Sequence, residues 1–297
     1  MTGILLAMIV SLLKSWSELT GKLITSEKRL HKIDEYSLAF WIRIFSLVVL
    51  FPVVFFIPPV ALDTKHFVIL FLSWVFNSVA TVTSLKALKY GDLSLVSPLS
   101  AFTIPFLLLT AYLIAWEAPN MFGIVWVMII FIGTYFLQIS EVKNGAFWPI
   151  KAILQNTGAR YMLLTAILWS ITTPLDKLGI LEYGVLTWML YQSIAMCIFI
   201  GIYFWIFHRK KLSSISNPLA IKKILALWGI WGLSLLLQMF ALKFTLAVYV
   251  VSIKRASGIF SVILWALFFK EKNIKSKLLA AAIMFSWVCV ITVFWNI

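Results

Sequence analysis

Long apolar runs separated by short polar segments are the feature that most constrains how this chain can fold. Ten such runs occur, and a helix of about 20 apolar residues crosses the hydrocarbon core of a bilayer. Hydrophobic residues make up 62% of the 297 residues and charged residues only 12%, which is more apolar than a soluble globule. The sequence therefore predicts an all-α membrane protein with ten transmembrane helices. The predicted spans are 3–24, 36–57, 66–85, 93–115, 121–140, 161–181, 184–207, 224–242, 247–269 and 277–295.

The chain also contains an internal repeat. A shift of 154 residues places Trp74 on Trp228 and Glu117 on Glu271. Each copy holds five spans, an odd number, so the second copy should enter the membrane from the opposite side, as in the inverted repeats of secondary transporters. We therefore predict two inverted five-helix repeats (5+5) joined by a linker, which occupy residues 1–140, 161–297 and 141–160.

Basic residues are distributed unevenly between the loops. The loops after odd-numbered spans hold 18 Lys and Arg residues, and those after even-numbered spans hold 3. The positive-inside rule then places loops 22–35, 208–223 and 270–277 in the cytoplasm and both termini outside. This bias accounts for most of the basic residues behind the net charge of +14, so nucleic acid is not implied as a partner. The cysteines, Cys197 and Cys289, lie in separate spans and predict neither a disulfide framework nor a metal or redox motif.

Two charged residues lie within the apolar span 247–269. Lys254 and Arg255 are roughly 10 Å inside it at 1.5 Å rise per residue. Charges at such depth persist where they line a wet cavity, pair or bind a ligand, which makes this a candidate substrate site. Lys254 shares one helical stripe with Gly258 and Ser261, so we expect Lys254 to face the cavity. A positive group there favours an anionic or zwitterionic substrate over a lipophilic cation.

Polar side chains at helical spacing on other spans can line the same cavity. They are Lys14 and Glu18 in the first span, Asn77 in the third, Asp176 in the sixth and Gln238 in the eighth. Each of these residues also has a structural interpretation. Lys14 and Glu18 are four residues apart and can neutralise one another inside the bundle. Amide side chains in membrane helices commonly hydrogen-bond one helix to another. We expect Glu18 to couple transport to protons unless Lys14 neutralises it.

Short motifs in both halves carry a resemblance to a known family. They are Leu168-Trp169-Ser170 followed by Lys177, Pro105 twelve residues before Glu117, and Phe268-Phe269-Lys270-Glu271. They resemble the drug/metabolite transporter superfamily, and within it the EamA-like ten-helix permeases. This resemblance implies a transporter of small metabolites in the cell inner membrane.

Two further resemblances concern the candidate site. Lys254 and Arg255 resemble the phosphate-contacting pair of the triose-phosphate and nucleotide-sugar branch, although the repeat equivalents Ser100 and Ala101 are not basic. Glu18 resembles, in location, the proton-coupling glutamate in the first helix of small multidrug resistance proteins.

The leading hypothesis is a secondary transporter that moves a small metabolite or solute by alternating access. The sequence contains no Walker A loop or kinase motif, and neither a cofactor nor a metal is expected. The expected partners are the substrate, the lipid bilayer, a coupling proton or ion and a second copy of the chain in a homodimer. One alternative is a polytopic membrane enzyme acting on a lipid or isoprenoid phosphate through Lys14, Glu18 and Arg43. A structural or scramblase-like bundle is the other, and it would not need the buried pair Lys254 and Arg255.

Overall fold

The computed structural model describes residues 2–25, 63–90, 99–139, 155–207 and 218–255, together with the single positions 44, 47, 52, 55 and 57. Within these residues there are eight helices and no strand, which confirms the all-helical prediction for this part of the chain. The helices are α1 Thr2–Thr25, α2 Thr64–Tyr90, α3 Thr103–Ala115, α4 Met121–Ile139, α5 Thr157–Tyr183, α6 Val185–Phe207, α7 Pro218–Phe244 and α8 Ala247–Arg255. Apart from the single positions, the predicted spans 36–57 and 277–295 lie outside the described residues.

Local sequence signals explain where α5 begins and ends. The side chain of Asn156 accepts a hydrogen bond from the backbone N–H of Ala159 at 3.1 Å and caps the first turn. At the other end Gly184 has φ 81°, a conformation that glycine adopts without a steric cost. Gly184 therefore lets the chain turn sharply between the end of α5 at Tyr183 and the start of α6 at Val185.

The helix α5 is the centre of the described bundle. It packs most extensively against α2 and α3 and also contacts α6, α7 and α8. In the same way, α1 packs against α7 and α8. The first helix of each predicted repeat therefore packs against the third and fourth helices of the other repeat.

Hydroxyl groups join α5 to its two main neighbours. The Thr83 and Thr165 hydroxyls lie 2.8 Å apart between α2 and α5, and the Thr110 hydroxyl of α3 donates to the backbone carbonyl of Ser170 at 2.6 Å. Such bonds hold apolar helices together where burial of apolar surface gives little driving force. Two described stretches, Thr64–Ala87 and Val185–Tyr203, are long and apolar enough to span a bilayer.

Candidate functional site

A buried carboxylate on α5 is surrounded by neutral hydrogen-bond donors. Asp176 is 5% exposed. It accepts hydrogen bonds from two side chains of α2 and two of α6, namely Ser73, Asn77, Trp188 and Gln192. We call these five residues the Asp176 cluster. In the part of the chain that the structure describes, no basic side chain pairs with Asp176. Ionisable groups inside a membrane bundle are costly and mark candidate functional sites.

The two carboxylate oxygens of Asp176 are bonded unequally. Gln192 Nε2 lies 2.8 Å from Oδ1, Trp188 Nε1 lies 3.4 Å from the same atom, and Ser73 also donates to it. The other oxygen, Oδ2, receives one bond from the described residues, from Asn77 Nδ2 at 3.4 Å. The structure thus brings together Asn77 and Asp176, two residues that the sequence placed at the same cavity.

Lys254 and Arg255 point in different directions, as adjacent helical residues must. The Lys254 ammonium donates to Gln238 Oε1 of α7 at 2.5 Å, so two more of the predicted cavity residues are in contact. Lys254 is half-buried, whereas Arg255 is 8% exposed and faces α3 and α5. Which of the two contacts a substrate stays a prediction.

The Arg255 guanidinium is held by two hydroxyls and an aromatic ring. Its Nη2 donates to the Thr103 hydroxyl at 3.0 Å and its Nη1 to the Ser100 hydroxyl at 3.3 Å. The guanidinium carbon lies 5.4 Å from the centre of the Trp169 ring on α5, within cation–π distance. These contacts restrain the orientation of the guanidinium.

A proline explains why both hydroxyls are available to Arg255. Pro105 has no N–H, so the carbonyl of Ala101 cannot receive the usual bond from four residues ahead. The N–H of Ile104 donates to that carbonyl instead, at 2.9 Å. The span predicted as 93–115 is consequently interrupted by a turn, and regular helix begins at Thr103. Ser100 and Thr103 flank this turn.

A second charged contact joins three helix ends. The Lys177 ammonium of α5 pairs with the carboxylate of Glu117 and donates to the backbone carbonyl of Thr245 at 2.6 Å. The Glu117 carboxylate also accepts the N–H of Ala247, the first residue of α8, at 3.1 Å. We call this the Lys177–Glu117 clamp. It fixes the end of α3 and the α7–α8 connection against α5.

The remaining predicted site residues lie on α1 or beyond α8. Lys14 is half-buried, and its neighbours Ser11 and Ser15 are completely buried. Glu18 belongs to α1, but its side chain lies outside the described residues, as does Ser261. Their roles stay predictions.

Several important contacts were not predicted from the sequence. Gln192 and Trp188 lie in an apolar span without polar periodicity, and the available signal was a single amide among apolar residues. Glu117 and Lys177 were recognised only as motif residues. Their pairing depends on how α3 and α5 pack, which hydrophobic periodicity does not report.

Apolar helices packed around buried charged and polar side chains are typical of a polytopic membrane protein. The profile of the EamA-like transporter family matches residues 1–139 and 156–293. The chain therefore belongs to the EamA-like transporter family, and the predicted membership in the drug/metabolite transporter superfamily is confirmed. It is a multi-pass membrane protein of a family that transports small solutes.

A similar fold occurs among solved structures. One, described only as the crystal structure of a protein, superposes with a TM-score of 0.71 at 13% identity and covers 98% of each chain. At that identity the likeness concerns the fold alone. No curated protein matches this chain.

Proposed function

We propose that this protein is a secondary transporter that moves an anionic or zwitterionic metabolite by alternating access. The negative group of the substrate binds at Arg255. The observation that carries the proposal is the burial of Arg255, which lies on α8 against α3 and α5 and is 8% exposed. At 1.5 Å rise per residue it lies roughly 12 Å along α8 from the first residue of that helix.

The contacts of Arg255 suit anion recognition. A guanidinium offers a planar fork of donors that matches the two oxygens of a carboxylate or phosphate. Stacking on Trp169 holds that plane before a substrate arrives, which reduces the entropy lost on binding. The hydroxyls of Ser100 and Thr103 can turn from Arg255 to the substrate, because a hydroxyl both donates and accepts.

The repeat supports placing the site between the two halves. At the offset of 154 residues, Ser100 is the equivalent of Lys254, and Ser100 contacts Arg255, the neighbour of Lys254. Positions related by a two-fold axis approach each other near that axis. The reciprocal packing of α1 and α5 on the opposite repeats agrees with the same 5+5 arrangement. In inverted-repeat transporters the substrate site lies at this interface.

Thermal unfolding of the purified protein with a panel of metabolites tests the substrate class. A ligand that binds only the folded protein at 100 times its Kd adds about 2.7 kcal/mol of apparent stability. We expect stabilisation by carboxylates, phosphates or zwitterions and none by quaternary ammonium compounds. Stabilisation by cations alone contradicts the proposal. Chemical conversion of a panel compound by the purified protein favours the membrane enzyme instead.

Matched variants locate the binding group. Arg255→Ala is expected to abolish the stabilisation, and Arg255→Lys to keep part of it, because lysine retains the charge without the planar fork. Lys89→Ala is the control, since Lys89 is an exposed basic residue at the end of α2. If the ligand stabilises Arg255→Ala and Lys89→Ala as much as it stabilises the unmodified protein, Arg255 does not bind the ligand.

A further inference from the structure

The Asp176 cluster is a second polar centre that the proposed anion site does not use. Asp176 and Trp169 are seven residues apart on α5, so they share one face and lie about 10 Å apart along the helix axis. Arg255 of α8 contacts α5 at Trp169, so the anion site and the buried carboxylate are two separate centres along α5.

No charged group faces Asp176 from the helices packed around it, within the described residues. The charged side chains whose contacts are described engage other groups: Lys177 with Glu117, Lys254 with Gln238, Arg255 with Ser100 and Thr103, Lys86 with Tyr161, Lys89 with Tyr90, and His66 with Asp63. Four more are exposed near helix ends, namely Lys65, Arg160, Glu182 and Lys243. Lys14 is half-buried on α1, which packs against α7 and α8. Within the described residues, no side chain is placed to neutralise the charge of Asp176, which a proton that enters the cluster can do.

The hydrogen-bond pattern of the cluster favours a proton over a metal cation. A cation would need several oxygen atoms directed at it, whereas the groups around the carboxylate present N–H and O–H hydrogens to Oδ1. Oδ2 has a single described donor, the Asn77 amide. If Oδ2 takes up a proton, Asn77 can turn its amide so that its oxygen accepts a hydrogen bond from the new O–H group.

We infer that Asp176 Oδ2 is a proton-binding site that couples transport to a proton gradient. The step is a simple protonation, in which the carboxylate gains one proton to become a neutral carboxyl group and returns it on the other side. No bond to the substrate forms or breaks. The neutral form removes a buried charge from the membrane, which lets the helices around α5 rearrange at lower cost. This inference depends on the proposed function for the transport that the proton drives.

Infrared difference spectroscopy of the purified protein tests the site without any substrate. As the pH falls through the physiological range, the unmodified protein should gain the C=O band of a protonated, buried carboxyl group. Asp176→Asn should lack this band. The control Asp63→Asn, which removes an exposed carboxylate outside the membrane-spanning helices, should retain it. The same band in Asp176→Asn, or a band that sodium removes at constant pH, overturns the inference.

A second variant covers the case in which Asp176→Asn does not fold. Asn77→Ala keeps the carboxyl group but removes the amide that accepts a hydrogen bond from its O–H, so the band should persist at a shifted frequency. An unchanged band in Asn77→Ala overturns the proposed geometry. The two proposals can fail independently. If a metabolite stabilises the protein but the infrared band is absent, the proton site is wrong and the proposed substrate class stands. If the band is present but no metabolite stabilises the protein, the proposed substrate class is wrong and the proton site stands.

Discussion

Among single residues, Gly179 controls how closely α5 and α6 approach. A Cβ atom at Gly179 would overlap the indole of Trp188, and the same indole donates its N–H to Asp176. The missing side chain therefore lets Trp188 lie directly against α5 and reach the Asp176 cluster.

Substitution of Gly179 tests this contact. Gly179→Ala is expected to displace Trp188 and to lower the free energy of unfolding by about 1–3 kcal/mol, the usual cost of overpacking a filled core. Unfolding in detergent, followed by circular dichroism, measures the change. Gly229→Ala is the control, because a Cβ there meets nothing within 4 Å and alanine favours helix over glycine. An equal loss in both variants would show that the contact with Trp188 is not the cause.

Asp63, which precedes α2, is the source of a pH effect. Its Oδ1 accepts the backbone N–H of His66 at 2.9 Å and lies 2.5 Å from His66 Nδ1. These hydrogen bonds, the backbone bond first, lower the pKa of Asp63 below its usual value. A lowered pKa in the folded state adds stability that is present above the unfolded-state pKa and is lost as the pH falls through the folded-state pKa.

We expect Asp63→Ala to lower the melting temperature slightly at neutral pH. The difference from the unmodified protein should disappear in acid, where the Asp63 carboxylate is protonated. Asp63→Asn is the control, because asparagine is also a favoured N-cap and should keep most of the stability at neutral pH. Melting temperatures measured across the pH range decide this. A difference that does not depend on pH would exclude the ionised cap as its source.

At the scale of helices, the Lys177–Glu117 clamp should contribute to how α3 and α5 are held together. Glu117→Gln leaves the Lys177 ammonium, which is 6% exposed, without its carboxylate. Removing one partner of a buried pair costs about 3–5 kcal/mol. Adding Lys177→Met removes the other charge, so the double variant should be more stable than Glu117→Gln alone.

A double-mutant cycle measures this coupling. The four proteins of the cycle are unfolded in detergent under the same conditions, and the coupling energy is the difference that the single variants do not explain. A coupling energy close to zero would mean that Lys177 and Glu117 do not stabilise one another.

Helix positions were largely predictable because each helix coincides with an apolar run. The described bounds of α1, α2 and α4 to α7 lie within about six residues of the predicted spans. The turn before α3 was not predicted, since hydropathy does not register the bond that Pro105 removes. Its consequence, the contact of Ser100 and Thr103 with Arg255, could not be predicted for the same reason.

The candidate site was predictable only where polar residues repeat at helical spacing. Asn77 and Asp176 were both found on such stripes. Gln192 has no periodic partners, yet it makes the 2.8 Å bond to Asp176. Contacts between helices depend on tertiary packing, and a pattern along one helix carries no information about its neighbour.

At the scale of the whole molecule, two polar contacts lie among connections that the loop charges predict to be outside. The Tyr183 hydroxyl donates to Asp63 at 3.2 Å, and the Lys177–Glu117 clamp reaches the α7–α8 connection. These connections follow even-numbered predicted spans, so their contacts agree with alternate threading through the membrane.

Reporter fusions at Ile297 test the orientation. The predicted outside location of the C-terminus should give an active alkaline phosphatase and a non-fluorescent green fluorescent protein. The reverse pair of results would mean that the protein is inserted the other way, with the basic loops outside.

Counterflow into proteoliposomes tests most directly whether the protein transports a solute through a site at Arg255. The labelled solute is the anion or zwitterion that stabilises the purified protein most. The unmodified protein and Lys89→Ala should accumulate it, whereas Arg255→Ala should be slower by about tenfold or more, as expected for losing a charged hydrogen-bond donor. Equal rates for Arg255→Ala at equal insertion, or no accumulation above protein-free liposomes, would contradict the account.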